Sequence, residues 1–268
     1  MERDVLERIA SALERLAPPD TSHKDWLDHP AYIWEQNEVR PIDQLASVGL
    51  GTLRGIDEQK AAVSENLERF ATGAAAHDML LWGARGMGKS ALVRAGVHAL
   101  GGGAALVQVN NNALGSITTL INKLAQMDRK FVLFIDDLGF GADEVQGNLA
   151  LRSVLDGGAM ARPRNICIAV TSNRRSIVQR DMEENAPLNE RDERDNSLAL
   201  ADRFGLTLAF HPCDQDIYFA IIAAYTEPLG LEFDHAEAGE WAITRGNRSG
   251  RTAYQFAVEL AGRAGLTL

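Results

Sequence analysis

The residues LLWGARGMGKS, from Leu80 to Ser90, combine an apolar run, glycines and a Lys-Ser pair. Their second part fits the pattern G-x-x-x-x-G-K-[ST], in which glycines let backbone N–H groups approach phosphate oxygens. The lysine supplies charge to the β- and γ-phosphates, the serine hydroxyl can bind Mg²⁺, and the following helix presents its positive N-terminus to the anion. We therefore predict a strand, a phosphate-binding loop and a helix. The predicted nucleotide-binding residues here are Gly83, Ala84, Arg85, Gly86, Met87, Gly88, Lys89, Ser90 and Ala91, with Lys89 also catalytic.

The composition is that of an ordinary globular protein, since 46% of the 268 residues are hydrophobic and 24% are charged. The formal net charge of −10 argues against a protein that wraps a long nucleic acid, because such binding depends on neutralised phosphates. Cys167 and Cys213 form no disulfide or metal-ligand spacing, which favours a reducing compartment. With no apolar run of membrane-spanning length and no leader, we expect a cytoplasmic protein without a membrane partner.

Strands and helices are predicted to alternate over the middle of the chain. The candidate strands are nearly continuous apolar runs, which are typical of parallel strands covered on both faces. They are residues 78–82, 104–109, 131–136, 166–171 and 206–210. From residue 211 onward the pattern is helical. The expected fold is therefore a five-stranded parallel α/β sheet followed by a small helical subdomain.

The region before the sheet carries two predictions. An amphipathic helix is predicted over residues 5–16, and it either docks on the body of the protein or offers its apolar stripe to a partner. Residues 22–41 are predicted to be irregular and aromatic. We expect their rings to pack on the core rather than stack on bases, because acidic residues surround them. These rings belong to Trp26, Tyr32 and Trp34.

Two adjoining segments carry opposite charge. Residues 157–180 hold five arginines and no acidic residue, whereas residues 180–197 carry seven acidic residues and no apolar periodicity. The acidic segment is predicted to be an exposed loop. The basic segment either touches DNA or docks the acidic loop of a neighbouring subunit, and the overall negative charge favours docking.

Two carboxylates follow the apolar run at residues 131–135. Ligands of parallel sheets bind at the edge where the strands end, so Asp136 is predicted to bind Mg²⁺ together with Ser90. Asp137 is predicted to orient or polarise the attacking water. The alternatives for this last role are Asp143 and Glu144.

Three further polar residues are candidates for the predicted nucleotide site. Asn173 ends an apolar strand and is predicted to hold a water by hydrogen bonds without titrating. Arg203 precedes the final strand, where an arginine can meet charge developing on the γ-phosphate. Arg251 starts the last helix and would couple the helical subdomain to the nucleotide. Considered alone, Asn173 could be a turn residue, and each arginine could form a surface ion pair.

Taken together, these residues resemble the AAA+ superfamily of P-loop ATPases over residues 50–268. The glycine loop resembles its Walker A motif, and residues 131–137 resemble its Walker B motif. The resemblance makes Asn173 the sensor 1 residue, Arg203 the arginine finger and Arg251 the sensor 2 arginine.

A further part of the resemblance concerns the adenine base. The tripeptide Gly55-Ile56-Asp57 is similar to the superfamily segment that lies against adenine, which adds Gly55 and Ile56 to the expected binding residues. Four further phrases resemble a narrower bacterial AAA+ family, the domain of unknown function 815, for which no client is known. They are LWGARG at 81–86, TSNRR at 171–175, LADRFG at 200–205 and RSGR at 248–251.

The superfamily resemblance implies ATP and Mg²⁺ as cofactors and a sheet ordered 5-1-4-3-2, with a helical lid after Phe210. It also implies a homo-oligomer in which Arg203 acts in trans on a neighbour's site. The expected divisions are an extension at 1–49, a nucleotide-binding domain at 50–210 and a lid at 211–268. One departure is Asp136-Asp137 where the superfamily usually has Asp-Glu, and the shorter second side chain implies slow hydrolysis.

The first functional hypothesis is a Mg²⁺-dependent ATPase whose nucleotide cycle does conformational work on an unknown protein client. The alternative is a nucleotide-gated loader or adaptor with negligible turnover, contacting DNA or a protein partner. A small-molecule kinase is a third interpretation, which we disfavour because the C-terminal helices show no second-substrate constellation.

Overall fold

The structure is a computed structural model that describes residue 26 and residues 28–139, 145–157, 162–173 and 199–268. Several predictions fall on the remainder and so lie outside the described residues. They concern the helix at 5–16, Asp143, Glu144, Arg174, Arg175, Arg180 and the acidic loop at 180–197.

The described strands form one mostly parallel sheet. They are β1 (Ala31–Glu35), β2 (Glu38–Ile42), β3 (Met79–Gly83), β4 (Ala105–Val109), β5 (Phe131–Ile135), β6 (Ile166–Ser172) and β7 (Leu206–Phe210). Their order across the sheet is β2-β1-β4-β5-β6-β3-β7, and every pair is parallel except β1 with β2. The five strands expected from the sequence are β3 to β7, and all five end at the same edge of the sheet, here called the carboxyl edge.

Helices cover both faces of this sheet. They are α1 (Asp57–Thr72), α2 (Lys89–Ala99), α3 (Ile117–Leu124), α4 (Val145–Leu155), α5 (Gln215–Thr226), α6 (His235–Thr244) and α7 (Gly250–Arg263), with 3-10 turns at Leu50–Thr52, Asn111–Ser116 and Glu227–Leu229. Helix α1 has Asp57 and Glu58 in its first turn and ends at Gly73, whose φ of 87° closes the helix. In the part of the chain that the structure describes, no helix is long and apolar enough to cross a bilayer.

Successive residues of β3 face two separate cores, which explains why its sequence is apolar throughout. Met79 and Leu81 belong to the core that α1 and α2 cover, while Leu80 belongs to the core under α3 and α4. Helices α5 and α7 join the first core through Ile222 and Phe256. The C-terminal helices therefore sit on the same face as α2, next to the carboxyl edge.

The prediction of an irregular segment at 22–41 is wrong for β1 and β2, and the sheet has seven strands instead of five. Gln36 and Asn37 have φ of 51° and 66°, the positive values that a two-residue hairpin turn requires. The hairpin joins the sheet because Ala31 of β1 pairs in parallel with Leu106 of β4. The prediction that the rings pack on the core is confirmed: Trp26, Tyr32 and Trp34 are at most 1% exposed.

Candidate functional site

The glycine loop joins the end of β3 to the start of α2. Gly83 has a φ of 119°, and a methyl group there would lie 2.2 Å from the carbonyl oxygen of Phe210. Gly86 has a φ of 74°, and a methyl group there would lie 2.9 Å from Ser249 Oγ. Both positions therefore require glycine, because the loop runs closely between β7 and the turn before α7.

The amino group of Lys89 lies beneath this loop, and the residue is only 5% exposed. Its Nζ donates to the carbonyl oxygens of Gly83 at 2.9 Å and Ala84 at 2.8 Å, and to Oδ1 of Asn173 at 2.9 Å. Burial lowers the pKa of Lys89 from its ordinary 10.5 to about 8, against the opposing effect of two neighbouring carboxylates. A buried ammonium group of this kind is stabilised by an anion placed beside it.

Oxygen side chains from three elements meet at Asp136, immediately after β5. Its Oδ1 accepts from Ser90 Oγ at 2.5 Å and from Thr171 Oγ1 at 2.6 Å. Carboxylate and hydroxyl oxygens suit Mg²⁺, which takes its other ligands from phosphates and water rather than from a full protein cage. Among the described residues, no group of three or more His, Cys, Asp or Glu side chains is placed to hold a metal ion.

Asp137 adopts the left-handed conformation, with a φ of 54°. Its N–H donates to Thr171 Oγ1 at 2.9 Å, and its side-chain Oδ1 accepts from Nδ2 of Asn173. Its carbonyl oxygen also accepts a long bond of 3.4 Å from Asn111. Because Asn173 also accepts from Lys89, a continuous chain of hydrogen bonds links the lysine to the Asp137 carboxylate.

These groups open into one cavity of about 380 Å³ at the carboxyl edge. Its walls contain more cationic than anionic side chains, although the whole protein is acidic, so the cavity suits a polyanion. The charged residues of the walls are Arg54, Lys89, Arg94, Arg251, Asp136 and Asp137. Other residues of the walls are Thr52, Leu53, Ile56, Gly86, Met87, Gly88, Ser90, Ala91, Thr171, Asn173, Ile221, Tyr225, Gly250 and Tyr254.

Most of the predicted loop residues therefore reach the cavity. Gly83 and Ala84 lie below it, where the Ala84 N–H donates to the Phe210 carbonyl oxygen at 2.8 Å. Arg85 is exposed and is not part of the walls. Gly55 is not part of the walls either; it packs directly against Ile217 on α5, whereas its neighbour Ile56 is in the wall as predicted.

The start of α7 contacts the glycine loop directly. The Arg251 N–H donates to the Gly86 carbonyl oxygen at 3.2 Å, and a methyl group on Gly250 would lie 2.9 Å from the same oxygen. Ser249 caps α7 by accepting from the Thr252 N–H. Arg251 therefore lies between the C-terminal helices and the glycine loop.

Arg203 is not part of this cavity. It lies three residues before β7, near the edge at which the parallel strands begin, and its guanidinium bonds to Asp156 and to the Ala199 carbonyl oxygen. The ion pair with Asp156 raises the pKa of Arg203 further. Within one chain, Arg203 and the glycine loop therefore stand at opposite edges of the sheet.

Nine wall residues were not among the predicted site residues. Thr171 had a signal, because it stands two residues before Asn173 at the end of an apolar strand. Arg94 lies one helical turn after Ser90, so its position on the same helix face was also readable from spacing. Gly250 stands beside Arg251 in the phrase RSGR. No motif marks the other six, which are Thr52, Leu53, Arg54, Ile221, Tyr225 and Tyr254.

The family described as "Protein of unknown function (DUF815)" matches residues 27–264. No curated protein matches the sequence. Among solved structures, the Thermotoga maritima RuvB Holliday junction branch migration motor is similar at 18% identity and a TM-score of 0.53, covering 81% of this chain and 66% of that one.

A second similar structure is Aeropyrum pernix ORC1, solved in complex with DNA. It has 16% identity and a TM-score of 0.55, with 83% of this chain and 63% of that chain covered. This chain therefore spans about two thirds of the length of either protein. At identities of 16% and 18%, these similarities show that the chain shares the fold of both proteins.

Proposed function

The chain belongs to the DUF815 family, and we propose that it is a Mg²⁺-dependent ATPase whose nucleotide cycle does conformational work on a protein client. The observation that carries this proposal is the convergence of Lys89, Ser90, Asp136 and Asn173 on one cation-rich cavity. A phosphate loop, a metal-binding carboxylate and a water-holding amide are the parts that phosphoryl transfer to water needs.

ATP would place its phosphates along the glycine loop, against the backbone N–H groups and the N-terminus of α2. Lys89 would exchange its carbonyl partners for phosphate oxygens, and the anion would raise the pKa that burial has lowered. The base would lie against Ile56, with Tyr225 and Tyr254 of the C-terminal helices nearby.

The Ser90 hydroxyl and the Asp136 carboxylate would hold Mg²⁺. When bound, the ion neutralises charge on the phosphates of the substrate. Asp137 would accept a hydrogen bond from the attacking water, and Asn173 would hold that water in line. Because Asp137 is one methylene shorter than glutamate, we expect hydrolysis to be slow.

We propose residues 211–268 as a lid that follows the state of the nucleotide. The support is the hydrogen bond from the Arg251 N–H to the Gly86 carbonyl oxygen, because any shift of the loop on binding phosphate is transmitted to α7. Arg251 would meet the nucleotide from the lid side. The remaining divisions are then an extension at 1–49 and the nucleotide-binding domain at 50–210.

We propose that the protein acts as a homo-oligomer and that Arg203 completes a neighbour's site. Arg203 lies at the edge of the sheet opposite the cavity of its own chain, so it cannot approach phosphates bound there. This position supports action on a neighbour's site. Asp156 would hold the guanidinium until a neighbour's nucleotide replaces it.

A nucleotide-gated loader with negligible turnover is the second candidate. It is favoured by Asp137, which is short and is already engaged by Asn173. Such a protein would load or release a protein or DNA partner; the ORC1 structure is of a DNA complex, and this similarity is the reason to test DNA at low salt.

The test is ATP hydrolysis per chain at saturating Mg-ATP, measured against protein concentration for the wild type and Arg203→Ala. For the ATPase we expect a specific rate that rises with concentration in the wild type and stays low and flat in the variant. ATP binding with no hydrolysis at any concentration would favour the loader. Failure to bind ATP would refute both candidates.

A further inference from the structure

One hydroxyl group joins the two carboxylates at the end of β5. Thr171 Oγ1 donates to Asp136 Oδ1 at 2.6 Å and accepts from the Asp137 N–H at 2.9 Å. Thr171 itself is only 1% exposed. We propose that Thr171 is a positioning residue that sets both the metal-binding carboxylate and the water-orienting carboxylate; this inference rests on the proposed function.

The first effect of Thr171 is on the rotation of the Asp136 carboxylate. Two hydroxyl groups, from Ser90 at 2.5 Å and Thr171 at 2.6 Å, converge on the same oxygen, Oδ1. Among the described residues none donates to Oδ2. The pair of donors therefore holds the plane of the carboxylate and leaves Oδ2 for the metal ion or its water.

The second effect is on the backbone of Asp137. A φ of 54° is uncommon for a residue with a side chain, and it persists only where neighbouring groups hold it. The Thr171 hydroxyl holds the Asp137 N–H, and the Thr171 carbonyl oxygen accepts from the Leu138 N–H at 2.8 Å. This turn directs the Asp137 carboxylate to Asn173.

A valine at this position separates the hydroxyl from the shape of the side chain. Thr171→Val keeps the β-branch and the backbone bond to Leu138, but it leaves the Asp137 N–H without its partner and removes one donor from Asp136. Thr171→Ser keeps the hydroxyl. Thr226→Val is the matched control, because Thr226 is also 1% exposed, and its hydroxyl has no hydrogen-bond partner among the described residues.

The experiment measures the affinity of each purified full-length variant for a fluorescent ATP analogue, with Mg²⁺ and with excess EDTA, alongside thermal melting and Mg-ATP hydrolysis. In the wild type, Mg²⁺ should raise the affinity for the ATP analogue. We expect Thr171→Val to reduce both this increase and kcat by about tenfold to a hundredfold. Its affinity in EDTA should be unchanged. Thr171→Ser and Thr226→Val should stay within about threefold of the wild type.

Two results would overturn the inference. One is a Thr171→Val protein whose Mg²⁺-dependent gain in affinity equals that of Thr171→Ser. The other is evidence that the threonine has a merely structural role. Such evidence would be equal loss of affinity with and without Mg²⁺, or loss of folding that Thr171→Ser does not rescue. A wild type that binds no ATP analogue would instead refute the proposed function itself.

Discussion

The inner end of the cavity and its outer wall differ in how their side chains are held. At the inner end, Lys89 donates to two backbone carbonyl oxygens and to Asn173, and the Asp136 carboxylate accepts from two hydroxyl groups. These hydrogen bonds are 2.5–2.9 Å long. On the outer wall, the Arg54 and Arg94 guanidinium groups make no hydrogen bond to another described residue. The inner end is therefore organised before any ligand arrives, whereas the outer wall can adapt to one.

The same contrast appears in the rings of the outer wall. Tyr225 and Tyr254 contact each other edge to face, with ring centroids 5.2 Å apart, and Tyr254 is 42% exposed. Such contacts are weaker and less directional than charge-assisted hydrogen bonds. Substitutions at the inner end should therefore abolish function, while those on the outer wall should only weaken binding.

The largest expected effect follows from Lys89→Ala at the inner end. We expect ATP affinity to fall by roughly a hundredfold or more, because charge-assisted bonds of about 1.5–3 kcal/mol each are lost. Isothermal calorimetry measures the loss. The matched control is Lys130→Ala, since Lys130 also donates to a backbone carbonyl, that of Ala71 at 2.7 Å, but lies outside the cavity walls. Equal affinity of the two variants would contradict the placement of the phosphates.

Asp137→Asn tests the inner end without changing its shape. Asparagine tolerates the left-handed conformation as well as aspartate does, but it accepts no proton from water. We expect kcat to fall about a hundredfold, while ATP affinity stays within about threefold. Single-turnover hydrolysis and equilibrium binding separate the two quantities. If kcat is retained, a residue other than Asp137 activates the water.

The pH dependence of ATP binding depends on the charge of Lys89 at the inner end. With the pKa of Lys89 at about 8 in the free protein, ATP affinity should fall above that pH, by up to about tenfold per unit until the pKa of the bound lysine is reached. Affinity titrations between pH 7 and 9.5 measure this slope. Lys89→Arg, which stays charged, should show no such fall. A flat wild-type profile would contradict either the lowered pKa of Lys89 in the free protein or its contact with the phosphates.

The same lowered pKa affects folding. Between about pH 8 and pH 10.5, the unfolded chain binds more protons at Lys89 than the folded chain does. The contribution of this group to the free energy of unfolding therefore rises with pH over that window, in the opposite direction to ATP affinity.

The smallest effect is expected on the outer wall. Tyr254→Ala should weaken ATP binding about fivefold, the equivalent of roughly 1 kcal/mol for one aromatic contact, and leave kcat unchanged. Val258→Ala is the matched control, because Val258 lies one turn further along α7, is 43% exposed and is not in the cavity wall. A loss from Tyr254→Ala as large as that from Lys89→Ala would show that the outer wall is as organised as the inner end.

The inner end was largely predictable from the sequence because its parts are encoded locally. A glycine pattern before a helix, and carboxylates directly after an apolar strand, identify Lys89, Ser90 and Asp136 without knowledge of the neighbours. The hairpin of β1 and β2 was missed because Gln36 and Asn37 are a less usual turn pair than those containing glycine. Their positive φ values became visible only in the structure.

Sequence alone determined the alternation of strands and helices, the glycine loop and the acidic pair, because each depends on residues a few positions apart. The tertiary structure decided which distant side chains meet: Thr171 with Asp136, Tyr254 with the wall of the cavity, and Arg203 with Asp156. Such contacts depend on strand order and helix packing, and no local pattern records them.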